Sequence, residues 1–287
     1  MSGDAPVGRG VAAAEVTVAC CQVAPRVGEL EKNRVTAREA VQDAAREGAD
    51  VVVLPELMAS GYVFADRAEL QSCAETVDGP TLREWQALTR DLDLVLVGGF
   101  AEDGRDGHVY NSAALVDPTG IRCVYRKTHL WDTEKNELFT AGSAGPPVVD
   151  TAVGRIGVMI CYDVEFPEWV RGVALRGADL VCAPVNWPLF PRPEAERPTE
   201  IVRVQAGASV NRMAIACADR VGTERGQEWV GGSVVVDANG FPASAIRLGE
   251  TALITARVDL RESRTKAISE RNDVHLDLRP DLYAQLR

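Results

Sequence analysis

A chain of 287 residues with 46% hydrophobic and 25% charged residues has the balance of a globular protein able to bury a sizeable core. Its net charge is −11 and its basic residues are scattered, which argues against a nucleic-acid surface. No apolar run approaches the ~18 residues of a membrane span, so neither nucleic acid nor membrane is an expected partner.

Residues 1–14 are mostly Gly, Ala and small polar side chains without an apolar signal core. They read as a mobile extension before a single domain over 15–287, and the expected compartment is the cytoplasm. Val16 to Val23 reads as a buried strand, and Leu30 to Glu47 as a helix with Leu30, Ala37, Val41, Ala44 and Ala45 on one face. Val51 to Leu54 is a short apolar strand, Thr81 to Asp91 a helix, and Leu94 to Gly98 a strand. Ser112 to Val116 and Arg122 to Lys127 flank the turn signal Asp117-Pro118-Thr119-Gly120 and so form a hairpin. A Gly- and Pro-rich loop runs from Thr140 to Pro147. Arg155 to Ile160 is a strand, and Phe166 to Gly177 a helix with Pro167 near its start, where a missing N–H costs nothing. The strand Leu180 to Pro184, the helix Glu200 to Arg212, and strands at Ala214 to Ala218, Ser233 to Val236 and Ala252 to Val258 complete the pattern. Helices interleaved with strands imply a mixed α/β protein, and runs such as Val51–Leu54 imply strands covered on both faces.

Seven cysteines, at 20, 21, 73, 123, 161, 182 and 217, include no C-x-x-C pair, so disulfides and a zinc site are not expected. Most lie in apolar runs and read as small buried hydrophobes. Cys161 differs because it stands where an apolar strand stops and a turn leads into a helix. A thiol there is exposed at the sheet edge beside backbone N–H groups that can hold an oxyanion. Glu56 ends another buried strand after Pro55, and a carboxylate beside a nucleophile can take its proton and later activate water. Ile121, Cys123, Tyr125 and Lys127 alternate onto one strand face. Lys127 ends that apolar face, so it either pairs with buried carboxylates or snorkels past the strand end.

Leu54-Pro55-Glu56 with Ser60-Gly61-Tyr62, then Tyr125-Arg126-Lys127-Thr128-His129-Leu130, then Cys161-Tyr162-Asp163 through Glu168, resemble the nitrilase (carbon–nitrogen hydrolase) superfamily in the correct order. Arg176-Gly177-Ala178-Asp179-Leu180, Asn211-Arg212, Asp219 to Gly222, Gly232-Ser233 and Asp237 to Gly240 extend the resemblance from about Val16 to Tyr283. It implies a four-layer αββα sandwich, a Glu56–Lys127–Cys161 triad, no metal or organic cofactor, and a homodimer or larger homo-oligomer. It also implies a second glutamate between the lysine and the cysteine: Glu134, or alternatively Glu137. The activity implied is hydrolysis of a small amide, N-carbamoyl amine or nitrile through a cysteine thioester, with the oxyanion held by Lys127 and the Tyr162 N–H. Candidate pocket residues are Tyr62, Trp131, Tyr162, Glu165, Asn186 and Trp187. Two rivals stay open: a Cys–His hydrolase using His129, and a non-catalytic binding or assembly subunit.

Overall fold

A computed structural model describes residues 15–135 and 137–283; the extension expected over residues 1–14 lies outside the described residues. The first half of the chain forms β1 (Glu15–Gln22), α1 (Leu30–Arg46), β2 (Val51–Val53), α2 (Arg67–Cys73), α3 (Pro80–Leu92), β3 (Val95–Asp103), β4 (Val109–Asp117) and β5 (Gly120–Arg126). It continues through β6 (Val148–Asp150), β7 (Arg155–Val158), α4 (Pro167–Leu175), β8 (Leu180–Pro184), α5 (Thr199–Asn211) and β9 (Ala214–Ala218). The last part holds β10 (Thr223–Glu224), β11 (Gln227–Glu228), β12 (Val234–Val236), β13 (Ala252–Asp259), α6 (Leu260–Arg264) and α7 (Pro280–Tyr283). Among the described residues no helix is long and apolar enough to cross a membrane.

Two sheets carry the architecture. One has the strand order β13-β1-β2-β3-β4-β5, the other β12-β9-β8-β7-β6. In the first, β1, β2 and β3 run parallel; in the second, β7, β8 and β9 do. Valines 51, 52 and 53 are fully buried because β2 is covered on both faces. Val51 and Val53 join Val18, Val97, Leu180 and Ala216 in a core between the sheets. Val52, Leu54 and Leu96 face the other way, against Ala37 and Val41 of α1 and Trp85 of α3. On the far side Val170, Val173, Ile201 and Val204 of α4 and α5 cover the second sheet. The order helix, sheet, sheet, helix is the four-layer αββα sandwich.

Several details differ from the sequence reading, and three have a plain physical cause. β3 does not stop at Gly98 but runs to Asp103. The glycine pair serves close approach rather than termination: a Cβ at Gly98 would stand 2.6 Å from the Trp85 ring, and one at Gly99 would stand 2.3 Å from the Leu57 nitrogen. Ile121 leaves the face of Cys123 and Tyr125, because a bulge pairs Val116 with Ile121 but Leu115 with Cys123, and an extra residue reverses alternation. Ile121 therefore packs with Val124 on the α1–α3 side. Finally, α2 lacks a long apolar stripe, yet Asp66 caps it by accepting from the Glu69 N–H at 2.8 Å, while Glu69 accepts from the Ala65 N–H. The Asp-x-x-Glu spacing was its available signal.

Candidate active site

The parallel strands of both sheets end at one rim, and the chain places chemistry on the turns that follow them, where α/β sheets commonly bind ligands. After β2 the segment from Leu54 to Ala59 crosses the middle of β3. It is held by Leu54 N–H to the Val97 carbonyl at 2.8 Å and Gly99 N–H to the Pro55 carbonyl at 3.2 Å. Because Gly99 has no side chain, this segment lies flat on β3 and turns Glu56 inward. After β7 the chain enters a short 3-10 turn at Cys161–Glu165. After β8 comes Asn186, whose amide donates to the Glu56 carbonyl at 3.0 Å and ties the two rims together.

Four ionisable or nucleophilic side chains converge there. Lys127 Nζ lies 2.8 Å from Glu56 Oε1 and 2.8 Å from Glu134 Oε2, and all three residues are buried. Asn111 on β4 bridges the carboxylates, donating to Glu56 Oε1 at 2.7 Å and Glu134 Oε1 at 3.0 Å. Tyr62 donates to Glu134 Oε1 at 2.8 Å, and the Trp131 N–H to Glu134 Oε2 at 2.7 Å. Glu56 Oε2 is buried and has no hydrogen-bond partner among the described residues. Of eight non-glycine residues with positive φ among the described residues, three sit on these turns: Leu57, Asp132 and Cys161. Such strain persists only where surroundings enforce it; here each strained residue re-aims a neighbouring or its own side chain.

The electrostatics follow from burial. Burial pushes the Glu56 carboxyl up to about 7, with Lys127 and Asn111 pulling back and Glu134 adding to the rise. Burial alone would lower the Lys127 value, but Glu134 and Glu56 outweigh it and hold the ammonium well above the usual lysine range. Burial drives the Cys161 thiol well above the ordinary cysteine range; Glu56 adds to the rise and Lys127 opposes it. The resting sulfur is therefore a thiol and needs a base. The first N–H groups of a helix lack partners within it, and the Tyr162 N–H on the turn is one of these.

Asp163 holds the turn. Its Oδ1 accepts from the His129 N–H at 3.0 Å and faces His129 Nδ1 at 2.7 Å, while Oδ2 accepts from Tyr125 at 2.9 Å. His129 stacks on Phe166 with ring centres 3.7 Å apart. Its imidazole thus engages Asp163 rather than the thiol, which leaves the Cys–His rival without its required contact.

A cavity of about 280 Å³ opens beside Cys161, and Trp131, Tyr162, Glu165, Asn186 and Trp187 line it. Tyr62 lines a neighbouring cleft of about 630 Å³ with Trp131 and Trp229; its hydroxyl is turned to Glu134 and its ring packs edge-on against Trp229 at 5.2 Å. Glu137 lines that cleft too, whereas Glu134 points at Lys127. Sequence reading missed Asn111, one of several polar residues in a strand that is buried throughout. It also missed Glu224, which accepts from the Val27, Tyr62 and Val63 N–H groups and pairs with buried Arg220 at 2.8 Å, fixing the loop that carries Tyr62.

The sequence model of the carbon-nitrogen hydrolase family matches residues 17–267. A nitrilase of Pyrococcus abyssi is 37% identical over 272 residues, covering 93% of this chain and 99% of the relative. An N-carbamoylputrescine amidase of Solanum lycopersicum is 31% identical, covering 94% of each chain. Among solved structures, a variant of the amidase from Nesterenkonia sp. AN1, with acrylamide added at its active site cysteine, superposes with a TM-score of 0.76 at 25% identity. That match covers 95% of this chain and all (100%) of the amidase chain.

Proposed function

The chain belongs to the carbon–nitrogen hydrolase family and is a hydrolase; from that premise we propose that it cleaves the C–N bond of a small linear amide or N-carbamoyl amine through a thioester on Cys161. Glu56 is the base, Lys127 and the Tyr162 N–H hold the oxyanion, and Glu134 fixes Lys127. The observation that carries this reading is the divided state of Glu56. One oxygen is spent on Lys127 and Asn111, while the other is buried without a partner among the described residues, and the Glu56 charge is felt at the Cys161 thiol.

The steps balance. Cys161 loses its proton to Glu56 Oε2 as the sulfur attacks the carbonyl carbon. The oxyanion collapses, the proton passes from Glu56 to the leaving nitrogen, and ammonia or amine departs. Water then gives a proton to Glu56 and attacks the thioester; the acid leaves and the proton returns to sulfur. For a carbamoyl amine the products are amine, ammonia and carbon dioxide. Splitting one displacement into two lowers each barrier, and removing one oxyanion donor from such a site typically costs 10²–10³ in rate.

Residues 15–287 are read as one catalytic domain, acting in the cytoplasm, where seven unpaired thiols are at home. A homodimer or larger assembly fits the exposed apolar side chains Leu175, Val202 and Val210 on α4 and α5. Ammonia release is to be measured over a panel of amides, N-carbamoyl amines and nitriles, with Cys161→Ala beside the parent. The variant is expected to fold and to lack turnover, and the parent to carry an acyl adduct on Cys161 by mass spectrometry. Near-normal turnover by the variant, or an adduct on another cysteine, would overturn the proposal.

A further inference from the structure

The segment that follows β8, Val185-Asn186-Trp187, touches both the base and the nucleophile. The Val185 carbonyl accepts from the Glu56 N–H at 3.5 Å, and the Asn186 amide donates to the Glu56 carbonyl at 3.0 Å. The Asn186 carbonyl accepts from the Cys161 thiol at 3.7 Å. Base and nucleophile therefore lean on one support, and whatever fixes that support fixes their alignment. The strand ladder does not reach it. β8 ends at Pro184 and its neighbour β9 at Ala218, and the last bond between the two chains, from the Val185 N–H to the Ala218 carbonyl at 2.9 Å, stops one residue short of Asn186.

Asp219 takes over where the ladder stops. It follows β9, is fully buried, and spans two chains: Oδ1 accepts from the Trp187 N–H at 3.0 Å and Oδ2 from the Gly232 N–H at 2.9 Å. Its own N–H donates to Ser233 Oγ at 2.8 Å, and the Ser233 N–H donates to Gln22 Oε1 at 2.7 Å at the end of β1. Gln22 in turn donates to the carbonyls of Arg247 and Glu250 at 3.2 and 2.8 Å. No side-chain polar atom of Gln22, Asp219 or Ser233 lacks a partner among the described residues, and a buried polar network that is fully satisfied is rigid. A carboxyl suits the position because each of its two oxygens accepts, whereas a side-chain amide has one oxygen. The adjacent Arg220 guanidinium is committed to Glu224 at 2.8 Å and to the Pro25 carbonyl at 2.6 Å. Burial pushes the Asp219 carboxyl up to about 8, with the Trp187, Gly232 and Arg220 N–H groups pulling back. Near pH 7 the group is therefore mostly uncharged, and asparagine in its place removes an acceptor while changing the charge little.

No step of the reaction passes through Asp219. We propose that Asp219 is a positioning residue, which clamps Asn186 and Trp187 against the lead-in to β12 and so holds the Cys161 thiol in line with Glu56. This rests on the reading that Cys161 is the nucleophile and Glu56 its base. Without the clamp the Trp187 N–H loses its acceptor, and the wall shifts at the two points where it meets Cys161 and Glu56. A displacement of about 1 Å between reacting groups can cost about 10²-fold in rate, so a residue that touches neither substrate nor sulfur can still set the rate.

The test follows Cys161 directly. Its alkylation by 2-bromoethanol, read by mass spectrometry, is measured across pH on the intact parent, Asp219→Asn, Asp219→Ala and Thr89→Val. Thr89→Val removes a buried hydrogen bond to the Asp117 carbonyl in the outer helix layer and serves as the control for lost stability. In the parent, alkylation should rise through about pH 7 as Glu56 ionises. In both Asp219 variants that rise should flatten, and kcat for the best amide of the panel should fall by about tenfold for asparagine and about 10²-fold for alanine. Thr89→Val should melt at a lower temperature yet keep the parent's pH profile and kcat. Should neither Asp219 variant fold, Ser233→Ala, which frees the Asp219 main chain and leaves its carboxyl, should show the same flattening in weaker form. A folded Asp219 variant with the parent's profile and a kcat within threefold, the same losses in Thr89→Val, or an unchanged Ser233→Ala where it alone folds, overturns the positioning role and leaves the hydrolase reading standing. A parent whose alkylation is flat through pH 7 overturns the pairing of Cys161 with Glu56 and the positioning role with it.

Discussion

Glu134→Gln is the substitution that probes the buried charge cluster most directly. Glu134 accepts from four donors: Tyr62, Asn111, the Trp131 N–H and Lys127. Glutamine is nearly the same size but offers one oxygen, and its NH₂ must then face groups that themselves donate. The electrostatic loss is larger. A unit pair at 2.8 Å interacts by about 6 kcal/mol at an effective dielectric near 20. Glu56 stays 2.8 Å from Lys127 and the glutamine oxygen keeps some of the bonding, so the net cost falls near the low end of a broken buried pair, about 3 kcal/mol. Felt in the acylation transition state, that is about 10²-fold in kcat/KM. The pH dependence carries a second signature. The Glu134 charge is one reason that the Glu56 value stands near 7; removing it lets that value fall, so the acid limb of kcat/KM should move to lower pH. Ammonia release from a neutral amide, measured across pH with a thermal melt to certify folding, reads both effects. A variant within threefold of the parent with an unmoved acid limb would refute the assignment, the more so if Glu137→Ala lost more.

Two further outcomes follow from the same geometry. The parent's kcat/KM should rise with pH through about 7, since only ionised Glu56 accepts the thiol proton, and a profile flat across that range would mean that another group serves as base. Gly99→Ala should lower stability by about 1–3 kcal/mol and activity by about 10²-fold, because its Cβ would press on the Leu57 nitrogen and the Glu56 Cα at 2.3 and 2.7 Å. Gly172→Ala on α4, with nothing within 4 Å of the added carbon, should instead be neutral or stabilising by up to about 1 kcal/mol in the same melts and assays.

What could be read from sequence was whatever leaves a contrast along the chain. Cys161 and Glu56 are polar residues where apolar strands stop, and the burial of Lys127 was foreshadowed by the face that it ends. Asn111 was hidden for the opposite reason. Every residue of β4 is buried, so no solvent face gives an alternation against which one asparagine stands out. Glu134 and Glu137 were inseparable by spacing, because the choice is made by the backbone. The left-handed turn at Asp132 (φ 44°) aims Glu134 inward, and no residue type demands φ > 0 there. The charged wall of the cavity was half legible: Glu165 follows Cys161, but Glu200 and Arg203 reach the cavity from α5, and a helix sequence does not say which sheet rim its first turn overhangs.

The cluster also explains how a charged site can be this dry. Glu56, Glu134 and Lys127 are each at most 1% exposed, and with both carboxylates ionised their sum is −1. Isolated, any of these charges would be too costly to bury. Moving the proton from Cys161 to Glu56 leaves the sum unchanged. In the proposed reaction negative charge would pass from carboxylate to sulfur and then to the substrate oxygen. Acylation therefore relocates one charge within a fixed field and demands no new solvation, which is the condition under which preorganised dipoles lower a barrier most. It also follows that the thiol is quiet at rest: raised by burial and by its own base, it becomes nucleophilic only as its proton leaves. A slow reaction of Cys161 with a small alkylating agent lacking an amide, rising through the same pH range as turnover, is the expected mark of that coupling. A fast, pH-independent alkylation would instead mean a preformed thiolate.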